Sequence, residues 1–361
     1  MTHEPSDILP RLASAWFGGE PVAISRLGDA GFSGSRVILV RRASGARFVL
    51  KHFPAATPRT HATWVHGLMC HLRAAGITTV PDVVTVQPGG GEWSEGSCAT
   101  LIADSEGLLW ELVEFVPGST RPAPTAAEAA DALEGLARLH AAAATLPGDT
   151  PRLAPSPGIA RRVEQAGRMI AAPWASLESV AASRPIDPTH GRLDRACHVF
   201  AASRGTGSLR TVAACGVVPV VAQPVLRDIW SAHVLFADAG RLAGFVDFHA
   251  AGSDSPATDL ARLLGSWQPE PRHRGRAWID HWIAALAAYE AVRPLSPQER
   301  SLIPWLQATG VICGLDNWFR WLITDRRAFD DMNRVLERID RFIQLLPESL
   351  ETAREPIPGR N

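Results

Sequence analysis

Two aspartates and a histidine in the second half of the chain are spaced for work on a phosphoryl group. In Leu226-Arg227-Asp228-Ile229-Trp230-Ser231-Ala232-His233 a carboxylate is followed five residues later by an imidazole, and Phe245-Val246-Asp247-Phe248 returns a second carboxylate after a short apolar run. Phosphoryl transfer asks little covalent chemistry of a protein. It needs one carboxylate to orient the acceptor hydroxyl, and oxygen or nitrogen ligands to hold a divalent ion against the phosphates. Asp228 suits the first role, and Asp247 with His233 suits the second, because a neutral imidazole binds divalent metals. A phosphate clamp is also available. Lys51 is the only lysine among 361 residues, all the other basic side chains counted with it being arginine. A compact ammonium on a flexible stem reaches into a narrow cleft where a broad guanidinium does not. Lys51 closes the apolar run Phe48-Val49-Leu50, and Val37-Ile38-Leu39-Val40 before it follows a segment spaced by Gly28, Gly31 and Gly34 that also holds Ser33 and Ser35. Singly these signals are common, since glycine triplets mostly mark turns. Their order along the chain carries the reading.

The elements that must position these groups fall into two blocks. Residues 20–115 read mainly as strands, with runs at 37–40, 48–51, 83–86, 98–103 and 108–115 separated by turn clusters such as Arg42-Ala43-Ser44-Gly45. One helix interrupts them at 57–75, with Trp64, Leu68 and Leu72 near helical spacing and Gly76 as its stop. After Val116-Pro117-Gly118 the character changes. Residues 125–144 draw an apolar helical face, and helix-like segments continue to the C-terminus apart from a β-like patch at 234–236 and 242–248. The expected fold is therefore α+β and two-lobed, with a β-rich lobe over 1–117 and a helical lobe over 118–361.

Composition excludes several classes. With 36 basic against 37 acidic residues and no basic run, nothing favours a nucleic-acid groove or an anionic membrane surface. Five scattered cysteines match no zinc spacing and fit free thiols in a reducing compartment. No segment has the apolar length of a membrane span, so a cytoplasmic protein is expected.

Taken together, the motifs resemble the aminoglycoside phosphotransferase and choline kinase-like branch of the protein-kinase-like superfamily. There the catalytic loop reads His-Gly-Asp, four residues, then Asn, with an Asp-Phe pair nineteen residues after the first Asp; Asp228 and Asp247 stand at that separation. The resemblance implies ATP and Mg²⁺, or Mn²⁺, as cofactors and a hydroxylated small molecule as substrate. It implies Asp228 as catalytic base, Asp247 and His233 as metal ligands, and Lys51 on the α- and β-phosphates. The amides around Gly31, Ser33, Gly34 and Ser35 would cover the phosphates, the backbone of Glu114 and Val116 would clamp adenine, and Asp259 would steady the catalytic loop. The chain departs from the pattern at three points. Leu226 replaces the loop histidine, His233 replaces the asparagine, and helix 57–75 offers no carboxylate to Lys51, His66 being no anion. Lys51 is thus expected to pair with Asp247 or with phosphate. A catalytically silent nucleotide-binding protein is the alternative reading.

The acceptor is not legible. Trp267, Trp278, Trp282, Trp318 and Trp321 could line a cage for a quaternary ammonium, but their three- and four-residue spacing favours core packing. Asp316, Asn317 and Arg320 are polar groups among aromatics and candidates to face an acceptor. Residues 200–361 hold 18 acidic side chains and 18 arginines, without the acidic excess a polycationic aminoglycoside would call for.

Overall fold

A computed structural model of the chain describes residues 8–27, 37–87, 99–172, 174, 177, 188–268, 278–329 and 331–357. The first block is built on an antiparallel sheet. Its elements are α1 (Ile8–Ala15), β1 (Ala23–Arg26), β2 (Ile38–Arg41), β3 (Arg47–His52), α2 (Arg59–Ala74), β4 (Ile102–Ala103) and β5 (Leu109–Glu114), with strand order β1-β2-β3-β5-β4. Gly45, at φ 86°, lets the β2–β3 hairpin close tightly. The sheet has a helix on each face. Leu12, Trp16 and Phe17 at the α1 end pack on Ile38, Val40, Leu50, Trp110 and Leu112, while Val65, Leu68 and Leu72 of α2 pack with Phe53 and Val113. Alternation along a strand explains this, since Leu50 and Leu112 point to one face and their sequence neighbours to the other. Helix α2 ends where expected, Gly76 at φ 83° turning the chain away.

The chain leaves this sheet at Glu114 and joins another at Ser119. There follow β6 (Ser119–Thr120), α3 (Ala126–Ala143), β7 (Arg152–Pro155), α4 (Pro157–Ala171), α5 (Pro188–Ala202), α6 (Gly205–Ala214), β8 (Pro219–Val225), β9 (Val234–Phe236), β10 (Leu242–Phe245), β11 (Gly252–Asp254), α7 (Pro256–Ser266), α8 (Ile283–Val292), α9 (Pro297–Phe319) and α10 (Met332–Thr352). Capping boxes start α3 (Thr125 with Glu128) and α9 (Ser296 with Glu299). Two small sheets, β10-β9-β6 and β11-β8-β7, are set among the helices. At the crossing, Gly118 has φ 150° and a Cβ there would stand 2.9 Å from the Phe236 carbonyl oxygen. Only glycine fits where the crossing strand passes so close to β9.

Several sequence expectations need correction. Residues 83–86 form only an isolated bridge, Val83 to Val113, and the strand expected at 98–103 shrinks to Ile102–Ala103, with Cys98 outside the described residues. Helix α1 was not anticipated. Neither was the β11-β8-β7 sheet, because Pro219 and Pro224 in β8 disguise it. Among the described residues no helix is long and apolar enough to cross a membrane.

Candidate active site

The loop after β8 is shaped by one buried carboxylate. Asp259, in the first turn of α7, accepts the amide hydrogens of Leu226 (2.7 Å, Oδ2) and Arg227 (2.6 Å, Oδ1). Those bonds hold Arg227 at φ 62°, a left-handed conformation that costs a non-glycine residue about 1–3 kcal/mol unless its surroundings enforce it. Asp259 is fully buried and is itself held by His140 Nε2 at 3.0 Å, whose Nδ1 meets the hydroxyl of Tyr289, the only tyrosine in the chain, at 2.8 Å. Leu226 packs into the core, and the Arg227 side chain folds away to donate to the Ser253 carbonyl at 2.8 Å. The turn leaves Asp228 with its side chain half exposed, where Arg262, one turn beyond Asp259 on α7, donates to its Oδ1.

Lys51 lies opposite. Its Nζ donates to Asp247 Oδ1 at 2.8 Å and stands 3.5 Å from Glu111 Oε1. Burial opposes its charge, but Asp247 and Glu111 outweigh that and raise its pKa. The same pairing acts on Asp247. Burial works against the ionised form, and Lys51, His233 and His249 more than offset it, holding the carboxyl well below the usual range. Asp247 is also left-handed, at φ 68°. Left-handed residues thus occur in both segments that carry candidate carboxylates.

Glu111 corrects the expectation that Lys51 lacks a permanent partner besides Asp247. It is opposite Lys51 in the β3–β5 register, so its side chain emerges on the same face. It is 2% exposed and accepts from His66 Nε2 and His249 Nε2, each at 2.8 Å. Burial opposes its charge, and His249 and Lys51 override this to keep it ionised well below the usual carboxyl range. The strand supplies the anion that the helix lacks, and the helix supplies His66 to hold it. An acidic residue inside the otherwise apolar run Leu109-Trp110-Glu111-Leu112-Val113 is the signal that sequence reading passed over.

His233 is engaged at both ring nitrogens. Its Nδ1 faces the Asp228 carbonyl at 3.0 Å, and Trp230 Nε1 donates to its Nε2 at 2.8 Å. An indole N–H only donates, so Nε2 is the acceptor and Nδ1 carries the proton. Burial lowers its pKa and keeps the ring neutral. Nε2 also stands 3.5 Å from Asp247 Oδ2, and the lone pair that would bind a metal is taken up by the Trp230 N–H. Among the described residues no group of three or more His, Cys, Asp or Glu encloses a metal position. Mg²⁺ is commonly held by one or two carboxylates plus substrate phosphates, and Asp247 is one such carboxylate.

The structure thus brings Asp228, His233, Asp247 and Lys51 together, His233 touching the Asp228 backbone and Asp247, and Asp247 touching Lys51. Gly31, Ser33, Gly34 and Ser35 lie outside the described residues. Glu114 ends β5 opposite Phe48, and the Phe115 amide donates to Arg47 O at 3.2 Å, so the Glu114 carbonyl falls outside the β3–β5 ladder. Val116 follows, its side chain close against Gly244. Of the candidate tryptophans, Trp267, Trp282 and Trp318 are buried, and Trp318 makes an edge contact with Trp321 at 5.1 Å. Asp316 does not face an acceptor, being 1% exposed and held by Gln165, Trp174 and Arg320. Asn317 accepts from the same Gln165 amide at 3.0 Å.

Known proteins share this fold. The model of the phosphotransferase enzyme family matches residues 26–295. A homoserine kinase of Xanthobacter autotrophicus is 27% identical over 268 residues, spanning 74% of this chain and 71% of the relative. A homoserine kinase of Polaromonas naphthalenivorans is 30% identical over 264 residues, spanning 73% and 72%. Among solved structures, amicoumacin kinase in complex with AMP-PNP, Ca²⁺ and Ami superposes with TM-score 0.61 at 14% identity, over 99% of this chain and 96% of that one. Spectinomycin phosphotransferase in complex with ADP and spectinomycin gives 0.60 at 10% identity, over 98% and 100%. At such identities these structures show the fold alone, which is the expected two-lobed kinase-like one.

Proposed function

The chain belongs to the phosphotransferase enzyme family and is an ATP-dependent small-molecule kinase, and from that premise we propose that Asp228 takes the proton of the acceptor hydroxyl while Lys51 and Asp247 hold the nucleotide end. The observation that carries this is the Lys51–Asp247 contact at 2.8 Å, which joins residues 196 positions apart beside the loop that presents Asp228. As the acceptor oxygen bonds to the γ-phosphorus, its proton passes to the Asp228 carboxylate and the bond from γ-phosphorus to the bridging oxygen breaks, leaving ADP. Lys51 is aimed at phosphate oxygens by Glu111 and shielded from water, where its charge counts for more. Asp247, with His233 beside it, would hold Mg²⁺ or Mn²⁺, which would offset negative charge on the phosphates. The Glu114 carbonyl and Val116 amide would bind adenine, and Gly31, Ser33, Gly34 and Ser35 would cover the phosphates. Homoserine is the first acceptor to test, since both curated relatives described above are homoserine kinases.

The departures that motivated a silent nucleotide-binding reading have local substitutes. Leu226 packs in the core while Asp259 fixes the loop, and Glu111 replaces the helix carboxylate. The direct test uses an acyl-phosphate analogue of ATP that acylates lysine. Lys51 is its only lysine target, so labelling there should be strong and should disappear under saturating ATP. Equal labelling with and without ATP would remove Lys51 from the nucleotide site.

His233 has its own test. Removing the Trp230 donor in Trp230→Phe frees the Nε2 lone pair, and a neutral hydrogen bond is worth about 0.5–1.5 kcal/mol. Mn²⁺ affinity in the presence of AMP-PNP should therefore tighten by up to about tenfold, while His233→Ala should weaken it. Unchanged affinity in both variants would make His233 a structural residue of the loop.

A further inference from the structure

Helix α7 touches the catalytic loop at three levels. Asp259 in its first turn accepts the amide hydrogens of Leu226 and Arg227. Arg262 donates to Oδ1 of Asp228. Ser266 accepts the amide hydrogen of Ser231 at 2.7 Å, its own hydroxyl hydrogen going to the Leu263 carbonyl at 2.6 Å. The three side chains stand at i, i+3 and i+7, the spacing of one helical face. The loop is thus laid along that face from Leu226 to Ser231, and Leu226 and Ile229 anchor it in the core between the contacts. The helix is itself well fixed. Pro256 opens it behind the Ser255 cap, Leu260, Leu263 and Leu264 are buried, and at its far end Arg341 of α10 donates to the carbonyls of Ser266 (2.8 Å) and Gly265 (3.3 Å). Asp228 needs such a holder. Its side chain is 50% exposed, and among the described residues its carboxylate takes one hydrogen bond, from Arg262. The terminal torsion of an aspartate is soft, so without that bond either oxygen would sweep a wide arc. Arg162, anchored on the carbonyls of Gly158 (2.8 Å) and Leu306 (3.4 Å), acts on Arg262 as a like charge, and that repulsion favours the pairing with Asp228.

We propose that Arg262 is a positioning residue of the transfer: by occupying Oδ1 of Asp228 it aims the carboxylate and leaves Oδ2 as the oxygen that takes the acceptor proton, while Ser266 holds the far end of the loop. The proposal rests on the reading of Asp228 as base and adds which oxygen works and what holds it. In the step, the acceptor oxygen bonds to the γ-phosphorus and its hydrogen passes to Oδ2. The bond from γ-phosphorus to the bridging oxygen breaks, and ADP leaves with that electron pair. Arg262 exchanges no proton. One fixed helix therefore sets the loop backbone through Asp259 and the reacting side chain through Arg262. Half-exposed ion pairs add little to folding stability. The effect of this one lies in orientation, since misplacing a catalytic group by about 1 Å can cost about 100-fold in rate.

The test follows ADP release from ATP by the full chain, with L-homoserine as acceptor and, in parallel, with water alone, which the same base would orient. Arg262→Gln should lower kcat by about 10- to 100-fold and leave KM for ATP unchanged. Arg262→Lys, which keeps the charge but not the fork, should fall between. Ser266→Ala should lower kcat by about 2- to 10-fold, what one neutral hydrogen bond contributes. A double-variant cycle separates positioning from a structural role. Because Arg262 acts through Asp228, Arg262→Gln should cost nothing further in an Asp228→Asn background. Guanidinium ion, well below denaturing concentrations, should restore turnover to Arg262→Ala but not to the same variant combined with Asp228→Asn. The proposal is overturned if Arg262→Gln costs the same factor in both backgrounds, because Arg262 would then act on substrate or on the fold. A rise in kcat overturns it too, since the pair would then restrain the base, and so does a raised KM for ATP with kcat unchanged. Full turnover in Asp228→Asn, or no ADP release under either condition, removes the reading of Asp228 as base and this proposal with it. A large loss in Asp228→Asn beside an unaffected Arg262→Gln overturns the proposal alone.

Discussion

Asp228→Asn lowers kcat by about 10²- to 10⁴-fold, the range that positioned general acid-base groups contribute, with ATP affinity close to that of the parent. Asp228 stands on a loop that Asp259 fixes by two backbone hydrogen bonds, and its own contact is Arg262 rather than Lys51 or Asp247. Amidation therefore leaves the nucleotide end of the cleft intact. Asp247→Asn behaves differently. It removes the carboxylate that Lys51 and His233 both face, so metal-nucleotide binding should weaken at least about tenfold along with a large loss of kcat, as expected for a group acting in ground and transition states alike. Nucleotide affinity is read by titration with AMP-PNP and Mn²⁺, and turnover by ADP release. Equal losses of nucleotide affinity in the two variants would void the division of roles. Full turnover in Asp228→Asn would remove it as the base.

How far the site was legible depends on how its residues reach one another. Asp228, His233 and Asp247 lie within one loop and hairpin, so spacing along the chain was nearly spacing in space. Lys51 was conspicuous by composition alone. Glu111 was hidden because its role depends on strand register: one residue's slip would turn it to the other face and away from Lys51. His249 and His140 hold partners 138 and 119 residues away, Glu111 and Asp259. The same limit explains the fold-level misses. A strand with two prolines such as β8 pairs because β7 and β11 flank it, a tertiary fact that overrides local propensity.

Glu111→Gln should destabilise the protein by about 3–5 kcal/mol at neutral pH, the usual cost of removing one partner from a buried charge cluster. The glutamate is 2% exposed, and Lys51 from β3, His66 from α2 and His249 from the segment after β10 all converge on it. With an amide in its place, Lys51 keeps Asp247, but the two imidazoles lose their anion and the amide's hydrogens compete with theirs. The pH dependence separates this from a packing defect. Against the opposing effect of burial, His249 and Lys51 hold the Glu111 pKa well below its unfolded value of about 4.3. Such a group contributes stability that is fully present above the unfolded pKa and is lost as pH falls from there toward the folded pKa. The parent should therefore lose stability faster than Glu111→Gln below about pH 4.5, and the gap between them should narrow with acid. Lys51 gives the opposite limb. Its pKa is raised, so its contribution is present below about pH 10.4 and disappears as pH rises through the folded value. Urea unfolding at pH 7 and at pH 4 reads the acid limb. A gap that stays constant with pH would mean that Glu111 matters for its shape and not for its charge. In that case Lys51 would be held by Asp247 alone, and the strand carboxylate would no longer stand in for the anion the helix lacks. His66→Gln gives a milder check that should still fold. It removes one of the two hydrogen bonds from histidine to Glu111 and should shift the acid limb of unfolding toward higher pH.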